Sequence, residues 1–143
     1  MIHYGVLRGE FSETEMEDIW KLLNQLSDSP RLLAYEDFDR ILNRPNFSLL
    51  VARDGEKIVG MASLWSAEIL MGKKAFIDDV VVLDSHRGQG IGENLIKGLI
   101  AHAKNNGSRY VELTSNPARV AANNLYQKLG FQKRDTNVYR LNF

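Results

Sequence analysis

The segment Asp84-Ser85-His86-Arg87-Gly88-Gln89-Gly90-Ile91-Gly92 most restricts what this chain can fold into. It joins an apolar, β-branched run, Ala75 to Leu83, to a stretch in which Ile91, Leu95, Ile96, Leu99, Ile100 and Ala103 recur at helical spacing. Glycine inside a helix costs roughly 1 kcal/mol relative to alanine, so alternating glycines at a helix start need a compensating use. Without Cβ atoms, the backbone N–H groups there can close around an anion, and the helix dipole favours negative charge at that end. Arg87 adds a guanidinium fork suited to phosphate oxygens. The competing reading is a turn that only lets the helix pack closely on the strand. Two common nucleotide loops do not fit. Glu93 stands where a dinucleotide fingerprint needs glycine, and no Lys followed by Ser or Thr closes the run.

The flanking sequence predicts the rest of the architecture. Ser12 and Glu15 form a capping-box pattern ahead of Met16, Ile19, Trp20, Leu23 and Leu26 at helical spacing. A shorter helix carries Phe38, Ile41 and Leu42 and stops before Pro45. Phe47 to Ala52 and Lys57 to Trp65 read as hairpin strands around Asp54-Gly55, and Gly72 marks the reversal into Ala75 to Leu83. The glycine-started helix ends at Asn106-Gly107, and Tyr110 to Thr114 is another strand. Asn116 as N-cap with Pro117 at the first helical position opens a last helix through Ala121, Leu125 and Leu129 to Gly130. Two short strands around Phe131 and Val138 are expected to follow. This order predicts an α/β (α+β) domain, residues 1–143, with a mixed, mostly antiparallel sheet flanked by about four helices.

Composition removes several function classes. Lys plus Arg and Asp plus Glu both number 18, which leaves no basic stripe for nucleic-acid phosphates. There is no cysteine, so disulfides, thiolate metal ligands and a thiol-bound acyl intermediate are excluded. His3, His86 and His102 lack metal-ligand spacing, and no metal is expected. No apolar stretch reaches bilayer length and no signal pattern opens the chain, which leads to an expectation of a cytoplasmic protein without membrane partners.

Arg87-Gly88-Gln89-Gly90-Ile91-Gly92 resembles the R/Q-x-x-G-x-G/A signature of the GNAT family of N-acetyltransferases. Leu125-Tyr126-Gln127-Lys128-Leu129-Gly130-Phe131 is similar to that family's recurring LYxKLGF ending. The resemblance is strongest from about Ala75 to Phe131. It implies the GNAT fold and acetyl-CoA as cosubstrate, with pyrophosphate at residues Arg87, Gly88, Gln89, Gly90, Ile91 and Gly92. It also implies pantetheine along backbone at Val80, Val81 and Val82, and a sheet splayed there to admit the thioester. The family often carries Asn where Arg119 stands here, so Asn116 or Asn123 is the candidate amide contact, with capping as the alternative for both. Members often pair through late strands, which makes a homodimer an expectation. The first helices and the Leu64 to Lys74 hairpin would line the acceptor side, and Trp20, Phe38, Trp65 and Phe76 are core or pocket wall rather than a base-stacking platform.

Direct acetyl transfer needs a base, because an amine with a pKa of about 10.4 is protonated near neutrality. Asp78 and Asp79 interrupt an apolar strand, where carboxylates are costly unless used. Adjacent strand positions face opposite ways, so one of the two is expected to face the slot. By resemblance an acidic residue there acts as base or holds the amine; an ion pair or cap is the alternative. Tyr126 matches the family tyrosine that protonates the leaving thiolate, against an ordinary half-buried tyrosine. A backbone N–H of Val80 to Val82 is the candidate for meeting the developing oxyanion. The acceptor is expected to be a small-molecule amine: an amino sugar, aminophosphonate or polyamine-like compound. A protein lysine or N-terminus, or a non-catalytic acyl-CoA sensor, is the alternative.

Overall fold

The Ser12 hydroxyl accepts from Glu15 N–H at 3.1 Å, and Glu15 Oε2 accepts from Ser12 N–H at 2.9 Å, which closes the capping box read from sequence. The computed structural model describes residues 1–143. Its elements are β1 (Ile2–Leu7), α1 (Glu13–Leu26), α2 (Tyr35–Leu42), β2 (Phe47–Asp54), β3 (Lys57–Ile69), β4 (Gly72–Val82), α3 (Ile91–Asn105), β5 (Val111–Glu112) and α4 (Val120–Lys128), with a 3-10 turn at Asp84–His86. The five strands lie in chain order, antiparallel except for the parallel β4–β5 pair. This is the mixed, mostly antiparallel sheet with four helices that the periodicities predict.

Both faces of the sheet are covered, which is why Ile58 to Leu64 in β3 is almost continuously apolar rather than alternating. One face packs Val59, Ala62, Leu64 and Ile77 against Ile91, Leu95, Ile96 and Leu99 of α3, together with Tyr126 of α4. The other packs Leu49, Val51, Ile58 and Met61 against Ile19 and Leu22 of α1 and Phe38 and Leu42 of α2. Two polar clamps fix α1 on that face. Buried Asp18 accepts Ile58 N–H at 2.9 Å. Gln25 donates Nε2–H to Val82 O at 2.7 Å and accepts Asp84 N–H at 3.0 Å, which pins the end of β4 where the glycine segment starts.

Three sequence expectations need correction. The helix predicted to start at Pro117 starts at Val120, because Asn116 Oδ1 captures Ala118 N–H at 2.9 Å and Arg119 N–H turns back to Asn116 O at 3.0 Å. The strand expected over Tyr110 to Thr114 shrinks to Val111 and Glu112, since β4 diverges beyond that pair. No strand forms around Phe131 or Val138. Phe131 N–H bonds back to Tyr126 O at 3.0 Å, and residues 132–143 make no backbone hydrogen bonds and lie exposed. A local alternation of side chains cannot make a strand without an adjacent edge.

Candidate active site

The residues Arg87 to Gly90 are exposed at the start of α3. Gly88 and Gly90 both sit at φ +76°, the left-handed region where a Cβ would be strained, and Gly90 is the helix N-cap. None of the backbone N–H groups from Gly88 to Glu93 donates to a protein acceptor. Six consecutive free donors at the positive end of a 15-residue helix fit an anion with several oxygens, such as a pyrophosphate. Arg87 is paired with Asp84 at 3.0 Å, and both side chains are well exposed. A surface pair of that kind contributes little, so the guanidinium remains available to a ligand.

The sheet opens beside this loop. β4 pairs with β5 only at Ala75↔Val111 and Phe76↔Glu112, so Ile77 to Val82 has no partner on that edge. Val80 and Val82 are half-buried against the α3-side core, and Val81 is buried on the α1 side. Asn116 and Asn123 bond to each other ahead of and within α4: Asn123 Nδ2–H donates to Asn116 O at 3.0 Å. With Asn116 Oδ1 held by Ala118, both amides take capping roles, and the Asn116 Nδ2 and Asn123 Oδ1 groups stay free of protein partners.

Tyr126 lies on α4 with its ring buried and set edge-on to Phe131 at 5.9 Å. Its hydroxyl has no protein hydrogen bond and is not sealed from solvent. Burial pushes the phenol above its usual 10.0, with Arg119 pulling weakly the other way, so it stays a proton donor at physiological pH. Helix α4 is held on α3 by Glu93, whose carboxylate takes Lys97 and Lys128 each at 2.8 Å. Hydrogen bonding from Lys128 and then Lys97 pulls that carboxyl down to about 2.

Asp78 and Asp79 do not follow the expected alternation. The β3–β4 register jumps from Met61↔Val81 to Ser63↔Asp78, so Asp79 and Val80 oppose Ala62 alone, and Asp79 adopts φ +54°. The bulge turns both carboxylates to one face of β3. Asp78 Oδ2 accepts Trp65 Nε1–H at 2.6 Å, and Asp79 Oδ2 accepts the buried Ser63 hydroxyl at 2.9 Å. A left-handed non-glycine residue costs of order 1 kcal/mol, which aspartate tolerates better than most side chains.

Asp79 faces a cleft of about 410 Å³ between α1, α2 and the β2–β3 face, lined in part by Phe38, Met61, Trp65, Arg31 and Arg44. Although part of Asp79 meets solvent in this cleft, protein crowds its carboxyl. That desolvation raises its pKa above the ordinary 3.8, Ser63 opposes the rise, and the Asp78 charge adds to it. Trp65 stacks on Phe76 at 4.3 Å, and of the four aromatics Phe38 and Trp65 line the cleft. No group of three His, Cys, Asp or Glu side chains is arranged to hold a metal ion, and no helix is long and apolar enough to cross a membrane.

Sequence reasoning missed Ser63, Gln25 and the Glu93–Lys128 tie. Ser63 carried a signal, as a hydroxyl set between Ala62 and Leu64 in an apolar run, while Gln25 and Lys128 depend on tertiary placement alone.

Comparison with known proteins agrees with this geometry. The family model described as "Acetyltransferase (GNAT) family" matches residues 13–131. The chain is 30% identical over 132 residues to the thialysine N-epsilon-acetyltransferase of Mus musculus, covering 82% of this chain and 73% of that protein. It is equally 30% identical over 132 residues to glucosamine 6-phosphate N-acetyltransferase 1 of Oryza sativa subsp. japonica, covering 82% of this chain and 74% of that one. Other curated relatives are longer, and the chain spans only 26% to 45% of four of them. A solved acetyltransferase of Trypanosoma brucei superposes with a TM-score of 0.81 at 27% identity, with 100% of each chain covered. The loop, the splayed edge and the family match over most of its length agree: this chain belongs to the acetyltransferase (GNAT) family.

Proposed function

We propose that this chain moves an acetyl group from acetyl-CoA directly to a primary amine of a small molecule. The observation that carries the reading is the dual use of β4: its unpaired edge leads into the free amides of Gly88 to Glu93, and its bulge sets Asp79 in a cleft. Those amides with Arg87 would hold the pyrophosphate, and the backbone of Val80 to Val82 the pantetheine. Acetyl-CoA supplies the activated acyl thioester. Asp79 takes the proton from the ammonium form of the acceptor, a task its raised pKa suits better than an ordinary aspartate. Asp78 orients Trp65 at the cleft wall, and a backbone N–H of the Val80 to Val82 stretch meets the acyl oxygen. Tyr126 keeps its phenol proton until the C–S bond breaks and hands it to the departing sulfur, and the proton then shed by the acylated nitrogen restores the phenol.

A cleft of about 410 Å³ supports a small acceptor over a protein surface. The relatives named for thialysine and glucosamine 6-phosphate support the same class. Residues 138–143 support a homodimer: Val138, Tyr139, Leu141 and Phe143 are exposed on a segment with unpaired backbone, which a second copy can cover. The test is thermal stabilisation by acetyl-CoA against NADH and ATP, then release of free thiol with a panel of amines. Stabilisation with amine-dependent thiol release is expected. Stabilisation without release for any amine would favour an acyl-CoA sensor, and no stabilisation would remove the acyl donor.

A further inference from the structure

The cleft that holds Asp79 has an uneven charge inventory. Ten of its 14 lining residues are hydrophobic, and the polar ones are Asp79, Asn46, Arg31 and Arg44. Two arginines and a single carboxylate therefore border the cleft among mostly apolar side chains. The arginines come from either side of α2, Arg31 ahead of Tyr35 and Arg44 after Leu42.

Neither arginine is neutralised by the fold. Arg44 makes no ion pair and no side-chain hydrogen bond; only its backbone is used, the N–H donating to Ile41 O and the carbonyl accepting Phe47 N–H, each at 3.2 Å. Arg31 reaches Asp37 Oδ1 at 3.4 Å, but that oxygen already takes Arg40 at 2.7 Å, and the other takes Ala34 N–H at 3.0 Å. Arg31 is a weak second claimant on a satisfied carboxylate. A planar guanidinium is the side chain best matched to carboxylate and phosphate oxygens, and apolar cleft walls strengthen its field relative to open surface.

We infer that the acceptor carries an acidic group of its own beside the amine, with Arg44, assisted by Arg31, holding the oxyanion at one end of the cleft while Asp79 faces the amine at the other. The inference rests on the reading of this cleft as the acceptor site and narrows it. An amine with a second cationic group, as in a polyamine, would meet two uncompensated guanidinium groups and be disfavoured. A carboxylate, a phosphate ester and a phosphonate share the required chemistry.

The test compares acceptors matched except for the acid: lysine with 1,5-diaminopentane, glucosamine 6-phosphate with glucosamine, and 2-aminoethylphosphonate with ethylamine. With the full chain and saturating acetyl-CoA, the acidic member of at least one pair is expected to have the higher kcat/KM by roughly ten- to a hundred-fold, the range for a charge-assisted contact. The pair that shows the preference separates carboxylate from phosphate sources. In Arg44→Gln the preference should collapse through a higher KM for the acidic acceptor, while the KM for acetyl-CoA stays the same. Arg44→Lys should retain part of it, and Arg31→Gln should lose less than Arg44→Gln. Equal kcat/KM within all three pairs, or a preference undiminished in the double Arg31→Gln, Arg44→Gln variant, would overturn the inference and leave the acetyltransferase reading intact. Acetylation of no amine would instead sink that reading. The subsite is then decided by binding alone, followed through Trp65 fluorescence: tighter binding of 2-aminoethylphosphonate than ethylamine, lost in Arg44→Gln, supports it, and no difference overturns it.

Discussion

Ser63 Oγ lies 2.9 Å from Asp79 Oδ2 and 3.0 Å from Asp78 O, so one buried hydroxyl holds the bulge that brings Asp79 into the cleft. Its bond to the carboxylate stabilises the charged form and opposes the desolvation that raises the pKa. Removing it in Ser63→Ala should raise the Asp79 pKa further. The acidic limb of kcat/KM against pH should move to higher pH, and a limb that does not move would separate Asp79 from the proton-transfer step.

Asp79→Asn carries a paired expectation about activity and stability. As the base, Asp79 should cost turnover of order 10²- to 10⁴-fold when neutralised. The stability effect runs the other way. The folded pKa lies above the ordinary 3.8, so folding penalises the ionised form. That penalty is in force above the folded pKa and disappears as pH falls below 3.8. Asp79→Asn should therefore melt at or above the wild-type temperature at neutral pH, with the difference gone at pH 3; a lower melting temperature at pH 7 would contradict the desolvation account.

Much of this site is legible in the sequence, and the illegible part has physical causes. The glycine segment and the Ser12–Glu15 box are local devices whose partners lie within a few residues, so their patterns translate directly into geometry. Asp79 is different. Strand alternation predicts that it opposes Asp78, and the prediction fails because a left-handed residue inserts an extra position into β4, a choice made by packing on β3. Pro117 is a sound helix opener by local rules, yet Asn116 offers the following amides of Ala118 and Arg119 closer acceptors. Residues 139–143 alternate as a strand should, but pairing depends on an edge elsewhere.

Tyr126→Phe tests the leaving-group side. The ring packing against Phe131 survives the change, so acetyl-CoA affinity and fold should persist. Turnover should fall by roughly 10²-fold at neutral pH, the low end of the usual general-acid contribution. Retained turnover would return Tyr126 to a packing role.

Glu93 ties α3 to α4 and hence Tyr126 to the loop. Its pKa falls from 4.5 to about 2 on folding, so its stabilising effect is fully present above pH 4.5 and is lost as pH drops toward 2. Glu93→Gln should lower the melting temperature at pH 7, with the gap shrinking between pH 4.5 and 2 and at high salt. A gap independent of both would mean that the lysines contribute nothing.

The exposed segment near the last residues gives a prediction about assembly. Were a second copy to draw residues 138–143 into a strand, Tyr139, Leu141 and Phe143 would fall on one side and Val138, Arg140 and Asn142 on the other. Covering a large apolar side chain contributes about 1.5–3 kcal/mol, so three such residues on each of two chains can offset much of the entropy lost in pairing. Sedimentation should show a dimer for the unaltered chain and a monomer for the triple variant Tyr139→Asp, Leu141→Asp, Phe143→Asp. Because these side chains touch none of the core, the variant should keep the wild-type melting profile once the concentration dependence of the wild-type dimer is removed. A monomer for both proteins at every concentration would leave the apolar segment without a partner and exclude self-association as its use.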